Sequence, residues 1–284
     1  MQSAVKFAAI VGLLFSGWLA APTAEAQTFE FNGVIEPRES VTIAPRVDGV
    51  IAEVLFEGGE SVAQGAILAR MDPASYEIAV QVARAAVAQA DAEYQLATDE
   101  AERQAELLDR GAGAAARASA AVLEAMRAEA RLGAAQAELA AAKLSLARTT
   151  LRAPIAGVMG RPLVARGAFV EAEAGAAIGE VAVLDPAIIA YRVPHATRLQ
   201  ALKSTEAGSA DALFERLRLA LVLPDGTPYP LSGRALFESV VVDPESGDLI
   251  TFAEFPNPER LLAPGLSVTV VSELQLRDTQ CRRR

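Results

Sequence analysis

The stretch Ala44-Pro45-Arg46-Val47-Asp48-Gly49-Val50, then Gly59-Glu60-Ser61-Val62, then Leu68-Ala69-Arg70-Met71-Asp72-Pro73, is repeated later in the chain. The second copy reads Ala153-Pro154-Ile155-Ala156-Gly157-Val158, then Gly167-Ala168-Phe169-Val170, then Val181-Ala182-Val183-Leu184-Asp185-Pro186. Ala-Pro, Gly-Val, Gly-x-x-Val and Asp-Pro recur in the same order. Each copy is a set of short strands and tight turns, too small to bury its own apolar face. The two must therefore combine into one small β sandwich, residues 41–73 with 150–186, and whatever lies between them is an insertion. The fold class expected is α+β.

The insertion, residues 74–149, contains no proline and a large excess of alanine. Asp72-Pro73 suits a helix entry, with Asp72 free to cap and Pro73 where a missing amide costs nothing. Val80, Val87, Tyr94, Ala101 and Leu108 then recur every seven residues, with Ala83, Ala90 and Ala97 three positions on. That is an a/d heptad seam. In the second arm the expected seam is Leu123, Ala130, Ala137, Leu144 and Leu151, accompanied by Met126, Gly133, Ala140 and Ala147. Gly111-Ala112-Gly113 interrupts the pattern and permits the reversal. The insertion is thus an antiparallel α-helical coiled-coil hairpin, each arm about 50 Å long at 1.5 Å per residue.

Composition narrows the function. Twenty-six basic and 36 acidic residues leave a formal charge of −10, with lysine only at 6, 143 and 203, so the chain is a poor match for a phosphate backbone and no nucleic-acid partner is expected. One cysteine, Cys281, and one histidine, His195, allow no intramolecular disulfide and no Cys/His metal cluster. Lys6, the apolar run Phe7 to Ala21 and Ala24-Glu25-Ala26 read as a secretory signal peptide, residues 1–26, cleaved after Ala26. An uncleaved anchor is the alternative, although the 15-residue run is short for a span of about 20. Beyond the sandwich, residues 187–274 have strand-and-turn texture: Tyr191 to Val193 as a strand, Thr197 to Lys203 as a short helix, and Leu217 to Leu223 as a strand ending at Pro224-Asp225-Gly226. Ala235 to Val242 and Leu249 to Phe255 form a hairpin, followed by Phe255-Pro256-Asn257-Pro258 and Leu262-Ala263-Pro264-Gly265. Residues 275–284 are a basic tail.

The split repeat around a hairpin resembles the split biotinyl/lipoyl domain of the periplasmic adaptor or membrane fusion proteins, HlyD-like family. The ordered set from the Asp-Gly turn to Leu-x-Pro-Gly resembles the β-barrel domain of adaptors serving resistance-nodulation-division (RND) efflux pumps. In the related carriers a lysine at the inter-half turn receives the cofactor. Neither half has a lysine here, so a swinging-arm carrier is rejected and no cofactor is expected. The resemblance implies a non-enzymatic adaptor in the periplasm at the inner membrane, a homo-oligomer (hexamer or trimer of dimers) between an inner-membrane RND transporter and an outer-membrane channel. An adaptor of an ABC-type exporter is the second reading. Such adaptors usually continue into a membrane-proximal domain. With only Glu273 to Arg284 after the barrel, the segment 27–40 is expected to be its remnant, the strand Phe29 to Ile35 lacking most of its partners.

For channel docking the family pattern near the hairpin turn is Arg, three residues, Leu, six residues, Ser. Arg103 and Leu107 match, and the serine position is Ala114. The resemblance therefore implies a docking tip of Arg103, Leu107, Gly111, Gly113 and Ala114. Other candidates have plainer explanations. His195 has no second histidine and no cysteine near it, so it reads as a surface or barrel-edge residue. Met71, Met126 and Met159 are not clustered as soft metal ligands would be and read as packing. Glu171 and Glu173 alternate along a strand and read as an exposed edge.

Overall fold

The computed structural model describes residues 27–204 and 209–274. The expected signal peptide and basic tail lie outside the described residues. The described chain falls into two compact units, one of residues 33–190 and 253–268, the other of 27–32, 191–204, 209–252 and 269–274.

Strand β1 (Gln27–Glu36) belongs to the sheet described last. The first copy of the repeat forms β2 (Glu39–Ile43), β3 (Gly49–Val54), β4 (Ser61–Val62) and β5 (Ile67–Met71). After helices α1 (Ala74–Asp109) and α2 (Ala115–Ala147), the second forms β6 (Thr150–Arg152), β7 (Gly157–Met159), β8 (Phe169–Val170) and β9 (Gly179–Val183). The sheets run β2-β9-β7-β4 and β6-β5-β3-β8. Exchanging the copies, β2 for β6 and so on, converts one sheet into the other. The match extends to single bonds. Val62 pairs with Gly157 as Val170 pairs with Gly49. Gly59 N–H donates to the Met159 carbonyl at 2.7 Å, as Gly167 N–H does to that of Ile51 at 2.8 Å.

Because every sheet mixes strands of both copies, neither copy has a core of its own. Ile51, Leu68 and Met71 from one and Met159, Ile178 and Val181 from the other are all 2% exposed or less and form one cluster. Burying each such side chain is worth about 1.5–3 kcal/mol. Gly157 shows how closely the strands approach, since a Cβ there would lie 2.5 Å from the Ala182 carbonyl oxygen.

The hairpin leaves this core directly. The Asp72 carboxylate accepts the Ala74 N–H at 3.0 Å, and the Tyr76 hydroxyl donates to the Asp48 carbonyl at 2.6 Å, fastening the first turn of α1 to the sandwich. Pro73 occupies the cap position itself. Along α1 the expected seam is the observed one as far as Ala101: Val80 and Ala90 are buried, and Ala83, Val87, Tyr94, Ala97 and Ala101 half-buried, whereas Leu108, the last member of the expected file, is 37% exposed beside the turn. Along α2 it is not. Leu123, Met126 and Leu144 are 53%, 59% and 52% exposed. Ala130, Gly133, Ala137, Ala140 and Ala147 are exposed too, and Leu151 lies in β6. The seam is instead Ala118, Ala125, Leu132, Leu139 and Leu146, with Ala121, Ala128, Ala135 and Ala142. Leu132, Leu139 and Leu146 place three leucines in one heptad file, whereas the expected file within α2 holds Leu123 and Leu144, so more apolar area is buried by facing the former toward α1.

The remaining elements are β10 (Ala187–Pro194), α3 (His195–Ser204), α4 (Ala210–Phe214), β11 (Leu217–Val222), β12 (Arg234–Glu238), β13 (Asp248–Phe255) and β14 (Ser267–Leu274). They form, with β1, a six-stranded sheet in the order β11-β14-β1-β10-β13-β12. Bridges from Leu219 to Gly233 and from Val222 to Pro228 connect β11 to the segment entering β12, which closes the sheet toward a barrel. The expectation that Phe29 to Ile35 lacks partners is therefore corrected, because β1 lies between β14 and β10 rather than standing as a remnant. Its sequence explains why. Gly33 and Ile35 are buried, Phe29 and Phe31 half-buried, and Glu30, Asn32, Val34 and Glu36 exposed, the alternation of a strand with one face inward.

Two polar devices complete the sheet region. Asn257 of the Phe-Pro-Asn-Pro motif is fully buried. Its side chain donates to the Leu184 and Leu262 carbonyls at 2.9 and 3.0 Å and accepts the Leu262 N–H at 3.0 Å, while its backbone N–H meets the Asp185 carboxylate at 2.7 Å. Arg198 on α3 forms a two-pronged ion pair with Glu238 on β12. The β12 strand ends at Glu238, short of the expected Val242, because the Ser239 hydroxyl takes the Ile250 N–H and bonds the Val241 carbonyl, ending the ladder.

Candidate docking site at the hairpin tip

The turn between the arms is built by backbone chemistry. Past Asp109 the Gly111 N–H donates to the Leu108 carbonyl and the Ala112 N–H to that of Leu107, both at 2.9 Å, with Gly111 at φ +73°. This is a Schellman closure, in which the left-handed residue is normally glycine. Gly113 is required for a different reason. A Cβ there would stand 2.9 Å from the Leu108 backbone nitrogen, so only glycine lets the chain fold back onto α1.

Arg103 lies one turn before Leu107 on α1. Its guanidinium reaches Glu100 at 2.8 Å while remaining 61% exposed. Leu107 is 38% exposed, a large apolar side chain facing water beside the turn. Glu106 and Arg110 form a further ion pair just below it. Ala114 is the N-cap of α2, in extended conformation and with no side-chain acceptor for the first amides of the helix. The structure thus brings Leu107, Gly111, Gly113 and Ala114 together at one end of the hairpin, with Arg103 a turn beneath.

Sequence reading missed that the serine position of the family pattern is a helix cap. The signal was hidden because alanine fills both the cap and the first turn. Elsewhere, His195 is the first residue of α3 and half-buried, its Nδ1 buried without a hydrogen-bond partner. Met71 and Met159 are core residues, whereas Met126 is exposed, so packing does not explain it. Glu171 and Glu173 are exposed as expected, but they lie in the turn segment after β8 (Phe169–Val170) and not along a strand. Tyr191 is buried, and burial, then the nearby Glu238 charge, pushes its phenol well above the ordinary value, so it stays a neutral core group. No group of three or more His, Cys, Asp or Glu among the described residues is placed to hold a metal. Among them, too, no helix is long and apolar enough to cross a membrane.

The sequence pattern of the RND membrane fusion protein barrel-sandwich hybrid domain matches residues 39–182, which cover the sandwich and hairpin and more than half of the chain. The chain belongs to the RND membrane fusion protein family. This membrane fusion protein is 31% identical over 260 residues to the multidrug resistance protein MexA of Pseudomonas aeruginosa, covering 87% of this chain and 62% of MexA. It is 34% identical over 228 residues to the toluene efflux pump periplasmic linker protein TtgD of Pseudomonas putida, covering 80% and 56%. It therefore spans less than two thirds of the length of either relative. Among solved structures, MacA from Actinobacillus actinomycetemcomitans superposes with a TM-score of 0.67 at 19% identity, covering 88% of this chain and 79% of that one, a likeness of fold.

Proposed function

We propose that this membrane fusion protein is the periplasmic adaptor of a tripartite RND-type efflux complex, bridging an inner-membrane transporter and an outer-membrane channel as a homo-oligomer, a hexamer or trimer of dimers. One observation carries the reading: a sandwich whose core can form only when both copies of the repeat meet projects a hairpin of 36- and 33-residue helices ending in a glycine-built turn. Such an object spans distance and presents a tip. It is a strut, and its function is non-enzymatic. Periplasmic location follows from export through the 1–26 signal with cleavage after Ala26, which intact-mass analysis of the periplasmic protein tests by finding an N-terminus at Gln27. The relatives' names, which describe multidrug resistance and a toluene efflux pump linker, support efflux as the process.

In this reading Arg103 and Leu107 meet the channel. Leu107→Asp places a carboxylate where docking removes water, without a partner, and Arg103→Glu reverses the charge beside it. Both are expected to weaken crosslinking to the channel and to raise drug susceptibility in cells at matched protein levels, with the β domains still folded. Unchanged crosslinking and resistance in both variants would remove the docking assignment.

A further inference from the structure

Where the last turn of α2 enters the sandwich, it borders a cleft of about 360 Å³. All of its walls lie within residues 33–190, in one compact unit. Its size falls in the range of small-molecule sites, about 300–1,000 Å³.

Three guanidiniums line it: Arg46 after β2, Arg148 at the C-terminal cap of α2 and Arg152 at the end of β6. The chain carries a formal charge of −10, yet no carboxylate lines this cleft among the described residues. None of the three arginines belongs to any ion pair found among those residues, whereas Arg38, Arg70 and Arg198 each meet a glutamate. Arg152 is steadied by one hydrogen bond, donated to the Gly65 carbonyl at 3.0 Å, which leaves its charge unneutralised. The carbonyl end of α2 opposes the three with only about half a unit of charge. Its Leu144 and Leu146 oxygens already accept the backbone N–H groups of Arg148 and Thr149. The cleft is therefore a positive site in an acidic chain.

Much of the remaining lining is apolar. Leu144, 52% exposed, faces the same cleft, as do Val41 and Pro154. Ile43 and Leu151, each 6% exposed, join it to the sandwich core. An exposed leucine and unpaired guanidiniums around one concavity suit a ligand with both an apolar body and an acidic head, the body covering the leucine and the head accepting forked N–H donors.

We propose that this cleft binds a small amphiphilic anion, a carboxylate or sulfonate on an apolar body, with the head held by Arg46, Arg148 and Arg152 and the body against Leu144 and Val41. Since the walls come from β2, β6 and α2, the occupant ties the root of the hairpin to the sandwich.

The test titrates the full chain with naphthalene-2-sulfonate by calorimetry. Saturable one-to-one binding is expected, weakened at least about tenfold when Arg46→Gln is combined with Arg148→Gln, because charge-assisted hydrogen bonds are lost. Leu144→Gln should weaken it about fivefold by removing apolar contact. Neutral 2-naphthol, the body without the charge, and inorganic sulfate, the charge without the body, should each bind at least about tenfold more weakly. Saturating naphthalene-2-sulfonate should also raise the melting temperature of the unsubstituted chain, and do so far less in the double-arginine variant. Absence of saturable binding, or unchanged affinity in the double-arginine variant, overturns the proposal. Sulfate binding as tightly as the sulfonate would show a plain anion site, and polyglutamate binding more tightly than either would show a protein-docking patch; both outcomes overturn it too. Should the double-arginine variant fail to fold, Leu144→Gln still decides, since that side chain is exposed and unchanged affinity there overturns the assignment.

Discussion

Sandwich and hairpin are both made of two matched parts, yet only in the sandwich are the parts equivalent. Exchanging the two copies of the repeat maps the strand order of each sheet onto the other, although the β2–β9 ladder is continuous and its counterpart β5–β6 carries a register shift. Exchanging the two arms does not. The seam of α1 holds Val80, Val87 and Tyr94, while α2 leaves Leu123, Met126 and Leu144 outside. A strand has only two faces, and a glycine pressed against a neighbouring carbonyl says which one is crowded. An alanine-rich helix has several files of similar apolarity, and heptad spacing marks each file that could be an interface without saying which partner covers it.

The largest expected effect lies in the sandwich. Gly157→Ala forces its Cβ into the Ala182 carbonyl, and the strand cannot yield without breaking the equivalence, so a loss of about 3 kcal/mol is expected in denaturant unfolding. A loss under about 0.5 kcal/mol would mean the halves are less tightly matched than the bonding pattern requires. Next come the two files of α2. Ala128→Leu, at a seam position 2% exposed, should cost about 2 kcal/mol by overpacking, whereas Ala137→Leu on the outer file should change stability by under about 0.5 kcal/mol. Equal effects would erase the distinction between the files.

Smaller effects belong to the tip. Ala114→Ser supplies the missing cap acceptor of α2 and should raise stability by about 1 kcal/mol, read as a higher melting temperature. This gain is expected with no channel present, so it separates a capping role of that position from a docking role. Smallest of all, Arg103→Glu removes an exposed pair with Glu100 and should lower stability by no more than about 0.5 kcal/mol. A substantially greater loss would make Arg103 a structural residue and weaken its use as a docking probe.

Several features were legible without coordinates because local chemistry specifies them. The repeat, the hairpin between its halves, the α1 seam, the glycine turn and the order of barrel strands all rest on spacing and turn residues. Arg103 and Leu107 could be named from a pattern, and their exposure agrees with a tip position, whereas the capping role of Ala114 could not, since alanine has no side-chain group to announce it. Tertiary structure alone decided three matters. It chose between two heptad files in α2, because the choice depends on what α1 presents and on the summed burial of Leu132, Leu139 and Leu146. It gave β1 its neighbours, β14 and β10, since strand pairing across the length of a chain is a property of the closed sheet and not of the strand. And it made Asn257 a buried four-bond link, because the groups that satisfy it come from Leu184, Asp185 and Leu262, which only folding brings to one place.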